Sequence, residues 1–236
     1  MTLSEFAKIF DHTAVKPETT RQDIVQLCQE AVRFGFSAVS VAPIWVSLAA
    51  ETLAGSSVSV ATVVGFPHGS TLSSVKAFES KQVLDAGAHE LDMVINIGAL
   101  KSGEWDAARE DIRCVVRAAR DRQGITVKVI LETALLTNDE KLVACRLAEE
   151  AGADFVKTST GFAAAGATTT DVALMRRAVG DRLGVKAAGG IKSISTALAM
   201  IAAGATRLGT SSSVSIMKEF DDGVPSSVAR DGGVKR

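Results

Sequence analysis

Three lysines stand inside apolar, strand-like runs at equal spacing. They are Lys128 in Val127-Lys-Val-Ile-Leu, Lys157 in Ala153-Asp-Phe-Val-Lys-Thr, and Lys186 in Gly184-Val-Lys-Ala-Ala-Gly-Gly. The intervals are 157 − 128 = 29 and 186 − 157 = 29 residues, the length of one strand-plus-helix unit. If successive units lie side by side, three ammonium groups share one partly buried place. Loss of water and mutual repulsion both oppose protonation, so at least one lysine is expected to release its proton readily. A neutral lysine amine in a pocket attacks carbonyl carbon, which points to Schiff-base chemistry.

Lys157 is the candidate nucleophile. Phe155 and Ala153 share its parity and suit the inward side of a strand. To be neutral near pH 7 its pKa has to fall by roughly three from about 10.4, about 4 kcal/mol of differential interaction. Desolvation reaches that size, and a second cation such as Lys186 adds to it. The plainer alternative is a lysine that snorkels to a rim. Asp92, in Glu90-Leu-Asp-Met-Val-Ile-Asn, is a strand-embedded carboxylate and costly unless paired. It reads as a proton relay, as a static partner holding the lysines, or as both. Lys128 reads as a supporting cation paired with Glu132 or Asp92.

The elements that must position these groups announce themselves through a recurring phrase. Arg33-Phe-Gly-Phe, Asp85-Ala-Gly-Ala, Glu150-Ala-Gly-Ala and Ala202-Ala-Gly-Ala each place a glycine where a helix should stop, shortly before an apolar strand. Eight strands are expected at roughly 9–12, 37–42, 57–64, 90–96, 126–132, 154–158, 184–188 and 206–210. Amphipathic helices are expected between them, among others around 70–86, 104–121, 138–151, 170–180 and 193–203. Short apolar strands alternating with helices imply a parallel sheet, and eight units in about 200–250 residues fit a single (β/α)8 TIM barrel over residues 1–220. A doubly wound sheet ranks second, because no Gly-x-Gly-x-x-Gly turn follows the first strand. From Asp221 to Arg236 the chain is polar and glycine-rich, and is expected to be a flexible tail without secondary structure.

In such a barrel the site forms at the C-terminal strand ends. Those ends read Asp11, Asp92 with Asn96, Glu132-Thr133, Lys157-Thr158-Ser-Thr-Gly161, Lys186 followed by Gly189-Gly190, and Gly209-Thr-Ser211-Ser-Ser. The opposite ends are mostly Ala, Gly and Val. The clusters at 189–190 and 209–213 suit a phosphate held by backbone N–H groups and a helix N-terminus, with hydroxyls of Thr158 to Gly161 beside them; tight turns and caps are the alternative. His12, His68 and His89 are far apart and form no metal-ligand spacing, so neither a metal nor another cofactor is expected.

Composition narrows the partners. Of 236 residues 47% are hydrophobic and 22% charged, with a net charge of −1 and no long run of one sign. Nucleic acid and membrane surfaces are therefore poor partners, while a small anionic metabolite needs only a local positive site. Cys28, Cys114 and Cys145 are odd in number and widely spaced, which reads as packing in a reducing cytoplasm. No signal peptide and no apolar run of the roughly 20 residues needed for a membrane span is read.

Six segments carry a resemblance: Val64-Gly-Phe-Pro-His-Gly, Glu90-Leu-Asp-Met-Val-Ile-Asn-Ile-Gly, Lys128-Val-Ile-Leu-Glu-Thr, Ala153-Asp-Phe-Val-Lys-Thr-Ser-Thr-Gly-Phe, Val185-Lys-Ala-Ala-Gly-Gly-Ile and Arg207-Leu-Gly-Thr-Ser. In order and over nearly the whole barrel, they resemble the deoxyribose-phosphate aldolase family. The resemblance implies a class I aldolase interconverting 2-deoxy-D-ribose 5-phosphate with acetaldehyde and D-glyceraldehyde 3-phosphate. It implies that Lys157 forms the Schiff base, that Lys186 depresses its pKa, and that Asp92 is the acid/base partner. Gly189, Gly190, Gly209 and Ser211 would hold the phosphate, and a homodimer or larger homo-oligomer and a role in deoxynucleoside catabolism are expected on the same ground.

Three positions depart from the family pattern. Val41-Ala42-Pro43 lacks the cysteine or asparagine common in the second strand. Phe162 stands where some relatives have a phosphate-binding lysine. The chain has no tyrosine, whereas some relatives end in one that assists proton transfer. Two competing readings remain: another lysine-dependent barrel such as a transaldolase, and a non-catalytic phosphate-binding barrel.

Overall fold

The computed structural model describes residues 1–223, with side chains as far as Asp221. The chain opens with α1 (Leu3–Ala7) and β1 (Phe10–Ala14), then α2 (Arg21–Phe34) and β2 (Ala38–Val41). A 3-10 turn at Pro43–Trp45 precedes α3 (Val46–Thr52) and β3 (Ser59–Val64). Next come α4 (Ser73–Asp85), β4 (Glu90–Val94), α5 (Ile97–Lys101), α6 (Trp105–Arg120) and β5 (Thr126–Ile130). A second 3-10 turn at Thr133–Leu135 leads into α7 (Asn138–Glu150), β6 (Phe155–Lys157) and α8 (Thr169–Val179). The chain then forms β7 (Gly184–Ala188), α9 (Ile194–Ala202), β8 (Arg207–Thr210) and α10 (Ser213–Gly223). Eight parallel strands pair in sequence order, and β8 closes on β1, giving the expected (β/α)8 barrel.

Alternation along each strand divides the side chains between two environments. One parity faces the helices: Val39 and Val41, Leu91 and Met93, Val127 and Val129, Val156, Val185 and Leu208 are all buried in the hydrophobic core. Each such side chain is worth roughly 1.5–3 kcal/mol when fully buried. The other parity faces the barrel axis, where branched apolar residues are the usual filling. Here it carries Asp11, Glu90, Asp92, Lys128, Lys157, Lys186 and Arg207.

Several boundaries differ from the sequence expectation, each for a local reason. β4 stops at Val94 because the Asn96 side chain accepts from Ala99 N–H at 3.1 Å and caps α5. β5 stops at Ile130, and Glu132 turns the chain with φ 56°. β1 begins at Phe10 and continues to Ala14, which puts Asp11 in its lower half rather than at its end. The helix α10 runs on through Asp221 to Gly223, so the expected structureless tail cannot begin at Asp221. The rest of that tail, 224–236, lies outside the described residues.

Candidate active site

Register brings the three lysines together. Asp92 pairs beside Lys128 on β4 and β5, Ile130 beside Lys157 on β5 and β6, Lys157 beside Lys186 on β6 and β7, and Lys186 beside Arg207 on β7 and β8. Side-by-side residues of a sheet share a face, so the equal spacing of 29 becomes an arc of charges inside the barrel.

Asp92 lies at its centre. One carboxylate oxygen accepts from Lys128 Nζ at 2.8 Å, and the other from Lys157 Nζ at 2.9 Å and Lys186 Nζ at 2.7 Å. Lys186 continues to Asp11 at 2.5 Å, Asp11 accepts from Arg207 at 2.7 Å, Arg207 reaches Glu90 at 3.2 Å, and Glu90 returns to Lys128 at 2.5 Å. Four cationic side chains thus share three carboxylates, so full protonation leaves 4 − 3 = +1 charge inside the barrel. Lys128, Lys186 and Arg207 each contact two carboxylates; Lys157 contacts only Asp92.

Electrostatics follow from that imbalance. Burial pushes the Lys157 amine down, Asp92 opposes this, and Lys186 and then Lys128 add repulsion; the result is a pKa lowered to about 8. For Asp92 burial acts upward, but the three lysines outweigh it and hold the carboxyl well below its ordinary range. Asp11 is likewise lowered, with Lys186 and Arg207 outweighing burial. Burial disfavours the Lys128 cation, yet Asp92, Glu90 and Asp11 raise its pKa overall. Lys157, its pKa lowered, also keeps 5% exposure while Lys128 and Lys186 have none.

The structure relocates several expected contacts. Asp11, expected to meet substrate or phosphate, is fully buried with both oxygens bound by Lys186 and Arg207, so it is a counter-ion of the arc. Thr158, expected to offer its hydroxyl to a phosphate, is also fully buried; its hydroxyl donates to the Ala188 carbonyl and accepts from Ala188 N–H, both at 3.1 Å. Lys128 does pair with Asp92, but its second partner is Glu90 and not Glu132, whose carboxylate turns to Thr160. Gly209 lies inside β8, where a Cβ would stand 3.0 Å from Lys186 Cε; its lack of a side chain gives that lysine room to reach Asp11.

The remaining expected groups surround the mouth. Gly189 (φ 88°) and Gly190 (φ 78°) form a left-handed turn after β7 that favours glycine. Ser211 is exposed just before α10, and Gly161 is exposed in the loop after β6. Glu90 and Arg207 were not singled out from the sequence. Parity would have found them, since Glu90 stands two residues before Asp92 and Arg207 two before Gly209. Of the histidines, His12 faces outward to Glu30 at 2.8 Å, and His68 is exposed in the β3–α4 loop. Among the described residues no group of three His, Cys, Asp or Glu side chains could hold a metal ion.

A closed barrel of eight parallel strands, with a carboxylate-paired lysine of lowered pKa at the C-terminal end of β6, has the architecture in which enzymes build their active sites at the strand ends. The chain belongs to the DeoC/LacD family of aldolases, whose description matches residues 6–234. A deoxyribose-phosphate aldolase of Thermococcus gammatolerans is 56% identical over 216 residues, 91% of this chain and 96% of the relative. One of Mannheimia succiniciproducens is 53% identical over 218 residues, 92% and 96% of the two chains. The deoxyribose phosphate aldolase of Aeropyrum pernix, described as a tetramer, superposes with a TM-score of 0.88 at 33% identity, covering 94% of each chain.

Proposed function

We propose that the chain is a class I deoxyribose-phosphate aldolase that cleaves 2-deoxy-D-ribose 5-phosphate reversibly to acetaldehyde and D-glyceraldehyde 3-phosphate. The observation that carries this reading is the Lys157 amine, lowered to about 8 and held 2.9 Å from Asp92 at the barrel mouth. The 56% identity to a deoxyribose-phosphate aldolase supports the substrate.

In the proposed reaction the free Lys157 amine attacks the aldehyde carbon C1 of the open-chain sugar. A proton passed from the Lys186 ammonium through the Asp92 carboxylate expels the hydroxyl as water and leaves a protonated imine. The C3 hydroxyl then returns a proton to the Lys186 amine through the same carboxylate, the C2–C3 bond breaks, and the electron pair of that bond moves into the imine to form an enamine while the C3 oxygen becomes the product carbonyl. Glyceraldehyde 3-phosphate departs; protonation at C2 and hydrolysis release acetaldehyde and restore the amine. The positively charged imine is the electron sink, so the bond can break without an external Lewis acid. The glycine turn at 189–190, with Ser211 and Gly161, would hold the phosphate through backbone N–H groups, aided by the N-terminus of α10.

The same reading places the enzyme in deoxynucleoside catabolism in the cytoplasm. No helix among the described residues is long and apolar enough to cross a membrane, and the buried Cys28 and Cys145 thiols are pushed up to about 11 and about 12, the inert form expected of packing residues. A homo-oligomer is proposed on the exposed Ile44, Val75 and Phe78, which line one groove beside α4. The test is acetaldehyde release from 2-deoxyribose 5-phosphate, with Lys157→Leu as control. Acetaldehyde from the wild type alone is expected; turnover restricted to ketone donors would favour a transaldolase-like enzyme instead.

A further inference from the structure

β6 runs directly from Lys157 into a strap, residues 158–168, tied to three neighbouring loops. Thr158 is stitched to Ala188, and Ala167 N–H donates to the Gly189 carbonyl at 3.0 Å. The Phe162 ring meets Phe66, in the β3–α4 loop, edge-on at 5.3 Å between centroids. The third tie is Glu132, after β5. It accepts the Thr160 N–H at 3.3 Å and also the Thr160 hydroxyl.

Glu132 is unusual in two ways. It is 3% exposed, and the bonds its carboxylate makes among the described residues come from Thr160, with no cation beside it. It is also the one described non-glycine residue in the left-handed region, with φ 56°, a conformation that glycine adopts with less strain. A backbone that favours glycine but carries a buried carboxylate directs attention to what the carboxylate holds.

What it holds is the set of donors in the strap. Phe162 N–H donates to Thr160 Oγ1 at 3.0 Å, and that hydroxyl passes its own proton toward Glu132. Three donors are thereby turned inward. Left over are Gly161, exposed at the apex, and the Ser159 hydroxyl, fully buried and without a partner. Ser159 Cβ lies 3.6 Å from where a side chain on Gly189 would begin, so the orphan hydroxyl adjoins the glycine turn. A buried hydroxyl with no partner calls for an explanation, and an oxygen of a phosphate held at the adjoining glycine turn would supply one.

We propose that Glu132 is a positioning residue that sets the preference for phosphorylated over free sugar, by fixing the strap so that Ser159 and Gly161 face the phosphate. The proposal rests on the functional reading above and adds a residue to it that never touches substrate. Its test compares kcat/KM for 2-deoxyribose 5-phosphate and 2-deoxyribose in the wild type, Glu132→Gly and Glu132→Gln. Glu132→Gly relieves the backbone and removes the acceptor: its thermal midpoint is expected unchanged or higher, with the ratio of the two kcat/KM values falling at least about tenfold. Glu132→Gln keeps one acceptor oxygen for Thr160 and should restore the ratio to within about threefold of wild type.

Equal losses on both sugars, or a lower midpoint with the ratio kept, would show a merely structural glutamate and overturn the proposal. So would a wild type that forms borohydride-trapped imine with both sugars but has no preference for the phosphorylated one. A folded wild type that is trapped by neither sugar removes the functional reading itself, and the proposal with it. If Glu132→Gly fails to fold, Glu132→Asn takes its place, since asparagine tolerates the left-handed backbone and is one methylene shorter towards Thr160; an unchanged midpoint with the wild-type ratio kept overturns the proposal.

Discussion

Two regions of this molecule bury lysine against carboxylate, and they do different things with it. In the helical layer Lys76 on α4 donates to Asp111 on α6 at 2.6 Å and to the Val94 carbonyl at 2.8 Å, while Ser73 donates to the other Asp111 oxygen at 2.8 Å. Lys141 on α7 meets Asp171 on α8 at 2.6 Å in the same one-to-one fashion. Inside the barrel, four cations share three carboxylates. Burial lowers the pKa of Lys76 as it does that of Lys157, with Asp111 opposing it. The difference lies in the neighbours. Lys76 has no further ammonium beside it and is sealed at 0% exposure, whereas Lys157 has two other lysines beside it and keeps 5% exposure. Burial makes an amine less basic; surplus positive charge and an opening make it available.

The largest expected effect removes the available amine. Lys157→Leu should lower turnover by at least about 10⁴-fold while circular dichroism and thermal midpoint stay near wild type, because an aliphatic stem replaces an underserved cation. Persistent turnover would place the nucleophile elsewhere.

The next contrast breaks one partner in each region. Asp92→Asn and Asp111→Asn both strand buried cations, and each should cost roughly 3–5 kcal/mol in denaturant unfolding. Their activities should diverge. Asp92→Asn should lose about 10²–10⁴-fold in turnover, the size of a lost proton relay, and Asp111→Asn less than about threefold per folded molecule. Comparable turnover losses would mean that the barrel arc has no catalytic privilege over a structural pair.

Titration sharpens the comparison further. Below its pKa of about 8, Lys157 is increasingly protonated, so kcat/KM should fall about tenfold per pH unit and level off above that point. Folding stability should move the same way. Lys157 binds its proton more weakly folded than unfolded, so between about 8 and the ordinary 10.5 the unfolded chain holds more protons and the stability contribution rises with pH. At the acid end Asp11 and Asp92, both lowered, contribute stability that is present above about 3.8 and lost as pH falls through their folded values. Thermal midpoints against pH, for wild type and Lys157→Leu, isolate the lysine's share. The smallest effect concerns the chain end: without any tyrosine, deleting 224–236 should change turnover less than tenfold, under about 1.4 kcal/mol.

Much of this is legible in the amino-acid sequence. The glycine-ended helices and short apolar strands placed all eight strands within a few residues, since periodicity and helix-stop signals are local. Lys157, Lys186 and Asp92 stood out because a charge within an apolar strand is costly and calls for partners. What the sequence concealed was direction. Their place near strand ends suggests that Asp11 and Thr158 are mouth residues, but β1 continues past Asp11 to Ala14 and Thr158 spends its hydroxyl on the neighbouring strand. Glu90 and Arg207 hid in plain view, because the closure of a barrel decides which charges meet across it. Glu132 gave no local sign that its backbone would turn left-handed or that its carboxylate would seek Thr160 rather than a lysine.

The account rests on one amine, and it can be caught in the act. Treating the folded enzyme with 2-deoxyribose 5-phosphate or acetaldehyde and then borohydride, with EDTA present, reduces any imine to a stable secondary amine. Intact-mass measurement and peptide mapping then locate it. The account predicts a single reduced adduct on Lys157, absent from Lys157→Leu. An adduct on Lys128 or Lys186 would contradict the assignment of the nucleophile, and a folded protein with no adduct would contradict Schiff-base chemistry altogether.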